Sequence, residues 1–162
     1  MKTIKLIYLL LLLGFYSNSF AQLAILRDVG TGNPILANPY SEVKGSPYID
    51  DFREGVLLLN NGQTVSGLQI ALQGYEHTLQ YKLDGNLFAY TPENLSGFTY
   101  ISDSGEAMEY TSEFTVPTTG ERQFMRVLEK GKYMLLSYLY KIMIDDPNAT
   151  YGAQASKVFQ NQ

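Results

Sequence analysis

Apolar and polar residues alternate in short segments along most of this chain, and turn-forming residues separate the segments. The apolar run Val56 to Leu59 precedes the turn Asn60 to Gln63, after which Leu68, Ile70 and Leu72 recur at every second position. Because side chains alternate between the two faces of a strand, this spacing predicts a hairpin whose Leu68 face lies in a core. The run Val56 to Leu59 is apolar on both faces, which predicts a strand covered on both sides.

The same pattern predicts two more hairpins. Leu79 to Leu83 and Leu87 to Tyr90 flank Asp84 to Asn86, and Asp-Gly is a strong signal for a two-residue hairpin turn. Phe124 to Leu128 and Tyr133 to Ile144 flank a Glu-Lys-Gly-Lys turn. Further strands are predicted over Gly97–Ile101 and Met108–Val116.

The segment Tyr133 to Ile144 differs from the other predicted strands because apolar residues occupy both of its faces. Either it is a central strand covered on both sides, or it presents an apolar surface to a partner. A helix is the competing interpretation, although the preceding glycine turn and the tyrosine content favour a strand. If the surface is exposed, the candidate partner-binding residues are Tyr138, Tyr140 and Ile142.

Two short helical segments are predicted at capping signals. Ser46-Pro47 places a capping residue ahead of a proline, which predicts one helical turn that ends by Gly55. Asp146-Pro147 repeats the signal and predicts a short helix over Asn148 to Lys157, within a C-terminal segment that otherwise reads as a tail.

These elements predict an all-β, antiparallel fold with a minor helical part. Seven or eight strands in hairpins would form a single β-sandwich or small barrel-like domain. The domain spans residues 45–146, after an irregular N-terminal arm at 22–44 and before a short helix or tail at 147–162. Thirteen tyrosines and eight phenylalanines, with no tryptophan, favour sheet because aromatic rings suit half-buried strand surfaces. The apolar start of the arm, Leu23 to Leu26, is a candidate edge strand.

The first 21 residues have the three parts of a secretory signal peptide. Lys2 and Lys5 precede the apolar run Leu6 to Leu13, and Ser19 and Ala21 are the small residues before a cleavage site. We therefore expect export to the periplasm or beyond. No later apolar run approaches about 20 residues, so no transmembrane segment is expected in the mature chain. Because no cysteine is present, neither disulfides nor the lipid-bearing cysteine of a bacterial lipoprotein are expected.

The charge of the chain bears on its partners. The formal net charge is −4, and removing Lys2 and Lys5 with the signal peptide takes it to −6. An acidic chain repels phosphate, which argues against nucleic acid as a partner. An envelope protein or a polysaccharide is the alternative, because rows of strand tyrosines can stack on sugars or grip an extended peptide.

Three motifs carry a resemblance to known proteins. The chain contains GSPY followed by acidic residues, an aromatic residue and a glycine, then VLLLNNGQTV, and later FMRVLEKGKYMLL. Between Gly45 and Leu136 it resembles a family of small, signal-peptide-bearing exported proteins of Bacteroidota with no assigned function. The resemblance implies a compact β-rich domain and assigns no functional residue. The chain departs from the family at Tyr138 to Ile144, where more lysine is expected.

Candidate metal sites are few. His77 is the one histidine, and a zinc site needs several nitrogen or sulfur ligands, so His77 is interpreted as a hydrogen-bonded or solvated strand-end residue. The weak calcium candidates are four aspartates at predicted turns, which would hold an ion only if the two pairs converge. They are Asp50, Asp51, Asp145 and Asp146. No cofactor is expected.

Carboxylates and serines form no clearer catalytic pattern. Glu106, Glu109 and Glu113 are interpreted as a solvated strand edge rather than as the paired acids of a glycosidase. Ser104 lacks the flanking pattern of a nucleophile elbow. The sequence therefore favours a non-catalytic binding or scaffolding module of the cell envelope. The alternatives are a small hydrolase or small-ligand carrier with a pocket inside the β domain, and a structural protein whose last strand pairs with another chain.

Overall fold

The fold is all-β. A computed structural model of the chain describes residues 33–35, 40–149 and 157–162. These residues contain no helix, and their strands build an antiparallel, sandwich-like domain, as the alternation of apolar and polar residues predicts. The strands are β1 (Asn33–Ile35), β2 (Val43–Lys44), β3 (Arg53–Leu59), β4 (Thr64–Gln73), β5 (Thr78–Leu83), β6 (Asn86–Tyr90), β7 (Leu95–Ile101), β8 (Ala107–Thr111), β9 (Met125–Lys130), β10 (Met134–Ser137), β11 (Lys141–Asp145) and β12 (Lys157–Asn161).

The strands form two hydrogen-bonded sheets. The larger sheet has nine strands in the order β1-β6-β5-β4-β3-β7-β8-β9-β10, and the smaller has three in the order β11-β12-β2. Only β12 and β2 run parallel among the described strands, and every other pair is antiparallel. The larger sheet therefore ends at β1 and β10, and the smaller sheet ends at β11 and β2.

Three predicted hairpins are present, namely β3–β4, β5–β6 and β9–β10. The turn between β5 and β6 has Asp84 at a φ of 51° and Gly85 at a φ of 78°. Two successive residues with positive φ are what a two-residue type I′ turn requires, and aspartate and glycine tolerate that conformation. Local turn chemistry therefore fixes where this hairpin reverses.

One face of the larger sheet carries the core. On β4, Ile70 is 1% exposed and lies opposite the buried Tyr81 of β5, which confirms the predicted inward face. Aromatic rings extend this layer across the sheet. Tyr81 stacks on Tyr90 with 5.2 Å between ring centroids, and Phe98 stacks on Tyr110 at 4.6 Å. Such pairs contribute about 0.5–1.5 kcal/mol each beyond the burial of their surface.

The opposite face of β3 is exposed, so the prediction of a strand covered on both sides is wrong. Val56 is 36% and Leu58 39% exposed, whereas Leu57 between them is fully buried. The residue opposite Val56 on β7 is the exposed Thr99. An antiparallel sheet can leave one face in water. The apolar residues on that face of β3 therefore lie at the surface, and no second core among the described residues covers them.

The helical turn predicted at Ser46-Pro47 is also wrong. Tyr48 pairs with Gln73 in an isolated antiparallel bridge, and the N–H of Ile49 donates to the carbonyl of Leu72 at 2.9 Å. The register of β3 leaves the last three residues of β4 without a partner on that side. The segment before β3 satisfies those backbone groups, and this outweighs the local capping signal.

The segment Tyr133 to Ile144 is two strands rather than one. The strand β10 ends at Ser137 on the edge of the larger sheet, and β11 begins at Lys141 in the smaller sheet. The N–H of Lys141 donates to the carbonyl of Gly74 at 2.9 Å, so the chain crosses to the β4–β5 turn and leaves its first sheet. The strand interpretation is confirmed over the helix, but neither half is a central strand.

The two ends of the chain contribute strands. The predicted irregular arm contains β1 and β2, and the segment predicted as a helix or tail contains β12. Phe159 of β12 packs edge-on against Tyr40 and Tyr75, with 5.4 and 5.5 Å between ring centroids. The signal peptide, the candidate strand Leu23 to Leu26 and most of the predicted helix Asn148 to Lys157 lie outside the described residues.

Replacing Leu68 by aspartate tests the core face. Leu68 is 2% exposed, so Leu68→Asp removes a buried leucine and places a carboxylate in the core. The free energy of unfolding should fall by about 4 kcal/mol or more. Leu58→Asp on the exposed face of β3 is the control and should cost about 1 kcal/mol or less. Urea unfolding followed by circular dichroism measures both, and a midpoint unchanged by Leu68→Asp would show that the core face is misassigned.

Candidate functional site

An apolar groove of about 460 Å³ lies between the β9–β10 hairpin and the segment that follows β8. Met125 is the first residue of β9, Met134 and Leu136 belong to β10, and Tyr138 comes directly after that strand. All but one of the lining residues are apolar or aromatic. They are Phe114, Thr115, Val116, Pro117, Met125, Met134, Leu136 and Tyr138.

A tight turn after β8 forms one wall of the groove. The N–H of Val116 donates to the carbonyl of Glu121 at 2.9 Å, and Gly120, with a φ of 72°, donates to Val116 at 2.8 Å. The strand β8 ends at Thr111, and only an isolated bridge between Thr115 and Arg122 precedes this turn, so the prediction of one strand as far as Val116 is wrong. Phe114 is 41% exposed and lines the groove.

Tyr138 connects the groove to the single histidine of the sequence. Its hydroxyl lies 3.1 Å from Nδ1 of His77, and its ring stacks on Tyr140 with 5.0 Å between centroids. His77 is the last residue before β5 and is hydrogen-bonded, in agreement with the sequence interpretation, but its φ is 57°. A positive φ is uncommon for a residue with a side chain and is tolerated here at the end of a tight turn.

Burial shifts the pKa of both partners in this contact. Desolvation lowers the pKa of His77 below its ordinary value, and the carboxylate of Glu121 partly opposes that shift. Burial raises the pKa of Tyr138, with Tyr140 and Glu121 adding to the rise. At neutral pH the imidazole and the phenol are therefore both uncharged. The pair offers a hydrogen bond beside the groove and no formal charge.

The three predicted partner-binding residues do not all lie at the groove. Tyr138 lines the groove, and Tyr140 supports it through ring stacking. Ile142 lies on β11 of the smaller sheet, opposite Gln160 of β12, and does not line the groove. The structure therefore brings two of the three predicted residues together with His77.

The four candidate calcium ligands do not converge. Asp50 accepts a hydrogen bond from the hydroxyl of Tyr100, whose pKa burial and this carboxylate raise. Asp146 pairs with Lys44 and accepts the N–H of Asn148 at 2.9 Å, and these two donors hold its pKa below the usual range. The other two aspartates are exposed. Within the described ranges no group of three or more acidic, histidine or cysteine side chains comes together, so the condition set for a calcium site is not met.

Two of the candidate acids pair with cations of β9. Glu106 lies 2.9 Å from Arg126, and Glu109 lies 2.6 Å from Lys130. Exposed ion pairs of this kind contribute about 0–1 kcal/mol to stability. Their main effect is electrostatic, because they neutralise the basic residues of the strand that lies beside β10.

The edge of β10 differs from the other three sheet edges in the part of the chain that the structure describes. The strand β1 contains Pro34, β2 contains Lys44, and β11 begins with Lys141 and ends with Asp145. The sequence of β10 is Met-Leu-Leu-Ser. Prolines and charges are two of the means by which proteins protect sheet edges from further pairing, and β10 has neither. Sequence reasoning missed this contrast because strand order is not visible in local patterns.

A second groove of about 760 Å³ lies on the exposed side of β3 and β7. Phe52, Val56 and Ile101 contribute apolar surface to it. Arg53 also lines this groove, but both of its terminal nitrogens donate to the carboxylate of Asp103. The cation of the groove is therefore already paired.

No protein-family model matches the chain, and comparisons with curated proteins and with solved structures also gave no match. No helix of the described residues has the length and hydropathy needed to cross a bilayer. The site is therefore interpreted from its geometry, and the resemblance to exported proteins of Bacteroidota stays a prediction.

Acidification should destabilise the chain through His77. Because burial lowers the folded-state pKa, the stability contributed by neutral His77 is complete above the unfolded-state pKa and is lost as the pH falls toward the lower folded value. His77→Asn removes the titration and keeps a residue that tolerates positive φ. Around the ordinary histidine pKa of about 6.5, the urea midpoint of the native chain should fall more between about pH 7.5 and 5.5 than that of the variant. Parallel profiles would contradict burial of His77 against Tyr138.

Proposed function

We propose that this chain is an exported binding module of the cell envelope that takes up an extended segment of a partner polypeptide along β10. The observation that carries the proposal is the edge of the larger sheet at β10, which contains neither proline nor charge and lies beside an apolar groove. The signal-peptide pattern of residues 1–21 supports export. The resemblance to exported proteins of Bacteroidota supports the same compartment.

The backbone of β10 supplies the docking interaction. One side of β10 pairs with β9, and no described strand pairs with the other side. An edge strand directs alternate N–H and C=O groups away from its neighbour, and an extended segment that bonds to them adds a strand to the sheet. Met134 to Ser137 contain no proline. The β9–β10 register shifts between Leu135 and Leu136, but the extra residue, Leu128, belongs to β9, so β10 keeps its alternation.

Exposed apolar side chains are concentrated at the same edge. Nine large hydrophobic side chains are exposed among the described residues, and four of them belong to the β9–β10 hairpin. These four are Leu128, Tyr133, Met134 and Leu135, and a fifth, Phe114, lies at the groove. Tyr133 alone is 81% exposed. Exposed apolar side chains gathered in one hairpin are a feature of interaction sites in soluble proteins.

The groove defines the chemistry of the partner segment. An added strand directs every second side chain to the groove side of the sheet. The groove there is lined by Met125, Met134 and Leu136, and methionine adapts to apolar groups of different shape. The partner segment is therefore extended and carries apolar residues at alternate positions.

A small-ligand carrier is the second candidate function. The groove on β3 and β7 has the volume of a small-molecule site. An anionic ligand there would have to displace Asp103 from Arg53. A small molecule that co-purifies with the chain, is seen by native mass spectrometry and is lost in Ile101→Glu would favour the carrier.

Site-directed photo-cross-linking in the native envelope tests the proposed function. With a photoreactive phenylalanine analogue in place of Met134, the chain should capture a discrete product. Peptide sequencing by mass spectrometry should identify the captured segment as one with apolar residues at alternate positions, because only such a segment matches the groove. The same analogue at Ile101 is the control, since Ile101 is more exposed than Met134, 58% against 41%, and lies on β7.

Capture confined to Met134 supports the proposed function. Equal capture from both positions would show that exposure alone governs contact, and no capture from Met134 would overturn the β10 edge as the binding site.

A further inference from the structure

The exposed side of β10 is complementary to a second copy of itself. We propose that two copies of this chain join through β10 in an antiparallel pair. The two-fold axis lies midway between Leu135 and its copy, which we call the axis at Leu135. This inference rests on the proposed function, because it makes a second copy the extended partner that docks along the edge. It adds the identity of that partner and the register of the pairing.

Symmetry restricts the register. In an antiparallel pair, residues directly opposite each other share a face of the sheet. One residue of β10 must therefore lie opposite its own copy, with the two-fold axis between them. With the axis at Leu135, Met134 of one copy lies opposite Leu136 of the second copy. With the axis at Leu136, Leu135 would lie opposite Ser137 and Met134 opposite Tyr138, which is already outside the strand. The first register places more apolar residues opposite each other.

The side chains next to the axis suit this register. Leu135 meets its own copy on one face, and the pair Met134–Leu136 occurs twice on the groove face. In the single chain Leu135 is 56% and Met134 41% exposed, so pairing removes apolar surface from water at each of these positions. Met134 and Leu135 are the two large apolar side chains of β10 that are exposed in the single chain.

Charge does not oppose the pairing at the axis. Glu129 of β9 lies directly opposite Leu135, and in the pair its copy would lie about 14 Å away across the sheet, beyond the Debye length of about 8 Å in physiological salt. Along β10 the nearest charged residue is Lys132, three positions from Leu135. Its copy lies about 20 Å away along the strands at about 3.4 Å per residue, beyond the range of strong repulsion in physiological salt. The basic residues Arg126 and Lys130 of the neighbouring strand are already paired with acids of the same chain.

The assembly closes at two copies. Each copy contributes the same edge, so the contact is isologous and leaves no β10 free for a third chain. The opposite edge of each larger sheet is β1, which contains Pro34 and so lacks one backbone donor. The two larger sheets become one continuous sheet, and their two grooves lie on the same face of it.

Single-cysteine variants of the purified chain test the partner and the register together. The chain has no cysteine, so each variant carries one thiol. Leu135→Cys places the thiol on the axis, where it should form a disulfide with its copy under mild oxidation. Ser137→Cys is the control on the same strand, because its two thiols would lie about 14 Å apart along the strands. A disulfide needs Cα atoms within about 7 Å. Ile101→Cys, with 58% exposure against 56% for Leu135, measures random collision.

The variant at the axis should stand apart from both controls. Leu135→Cys should form the linked dimer at least about tenfold faster than Ser137→Cys and Ile101→Cys, because the paired thiols have a high effective concentration. Sedimentation equilibrium of the unmodified chain should show a dimer. Leu135→Lys places like charges opposite each other and should raise the dimer dissociation constant at least about tenfold, whereas Ile101→Lys should leave it unchanged.

Three results would overturn the second copy or its register. A chain that sediments as a monomer, with equal cross-linking rates for all three cysteine variants, excludes self-pairing. Faster cross-linking of Ser137→Cys than of Leu135→Cys excludes the axis at Leu135. If the chain is monomeric while Met134 captures an extended segment of a different envelope protein, self-pairing fails and the proposed function stands.

Discussion

A β-sheet that ends must leave backbone hydrogen-bonding groups along two edges, and this constraint organises the surface of the chain. The nine-stranded sheet ends at β1 and at β10. A proline lies in the first of these edges, whereas the second carries four residues with neither proline nor charge. The same alternation that buries one face of the central strands directs Met134 and Leu136 toward the groove. An edge without proline or charge and an apolar groove therefore occur together.

The short length of β10 has a cause elsewhere in the fold. The N–H of Lys141 bonds to the carbonyl of Gly74, and the hydroxyl of Tyr138 lies beside the ring of His77. Both contacts draw the chain toward the β4–β5 turn, so the strand stops at Ser137 and the next strand joins the smaller sheet. The His77 contact thus positions Tyr138 at the end of the groove. Among the described residues no group of side chains could hold a metal with His77. Its contact with Tyr138 gives this histidine a structural role.

Local chemistry was enough to predict much of the fold. Positive φ at Asp84 and Gly85 follows from the residue types at that turn, and the burial of Ile70 follows from period-two alternation. Alternation could not decide whether an apolar residue such as Val56 has anything packed over it, because coverage depends on other segments. The helix cap at Ser46-Pro47 failed for the same reason, since unpaired backbone at the end of β4 competes for that segment.

The candidate site was only partly visible in the sequence. The two apolar faces of the segment after residue 132 singled out Tyr138 and Tyr140, and both lie at the site. The wall formed by Phe114 and Val116 was missed, because it depends on the end of β8 at Thr111 and on the turn from Val116 to Glu121 that follows. Strand order, which makes β10 an edge, arises from pairings between distant residues that no local pattern records.

Hydrogen exchange of the backbone amides tests the central claim, that β10 is a binding edge, most directly. The amides of Met134 to Ser137 that point away from β9 should exchange rapidly in dilute chain, and they should gain protection when the chain is concentrated or mixed with envelope extract. The amides of Lys141 to Asp145, at an edge that carries charges, are the internal reference and should not change. Unchanged exchange at Met134 to Ser137 under both conditions, or new protection only at the reference strand, would contradict the account.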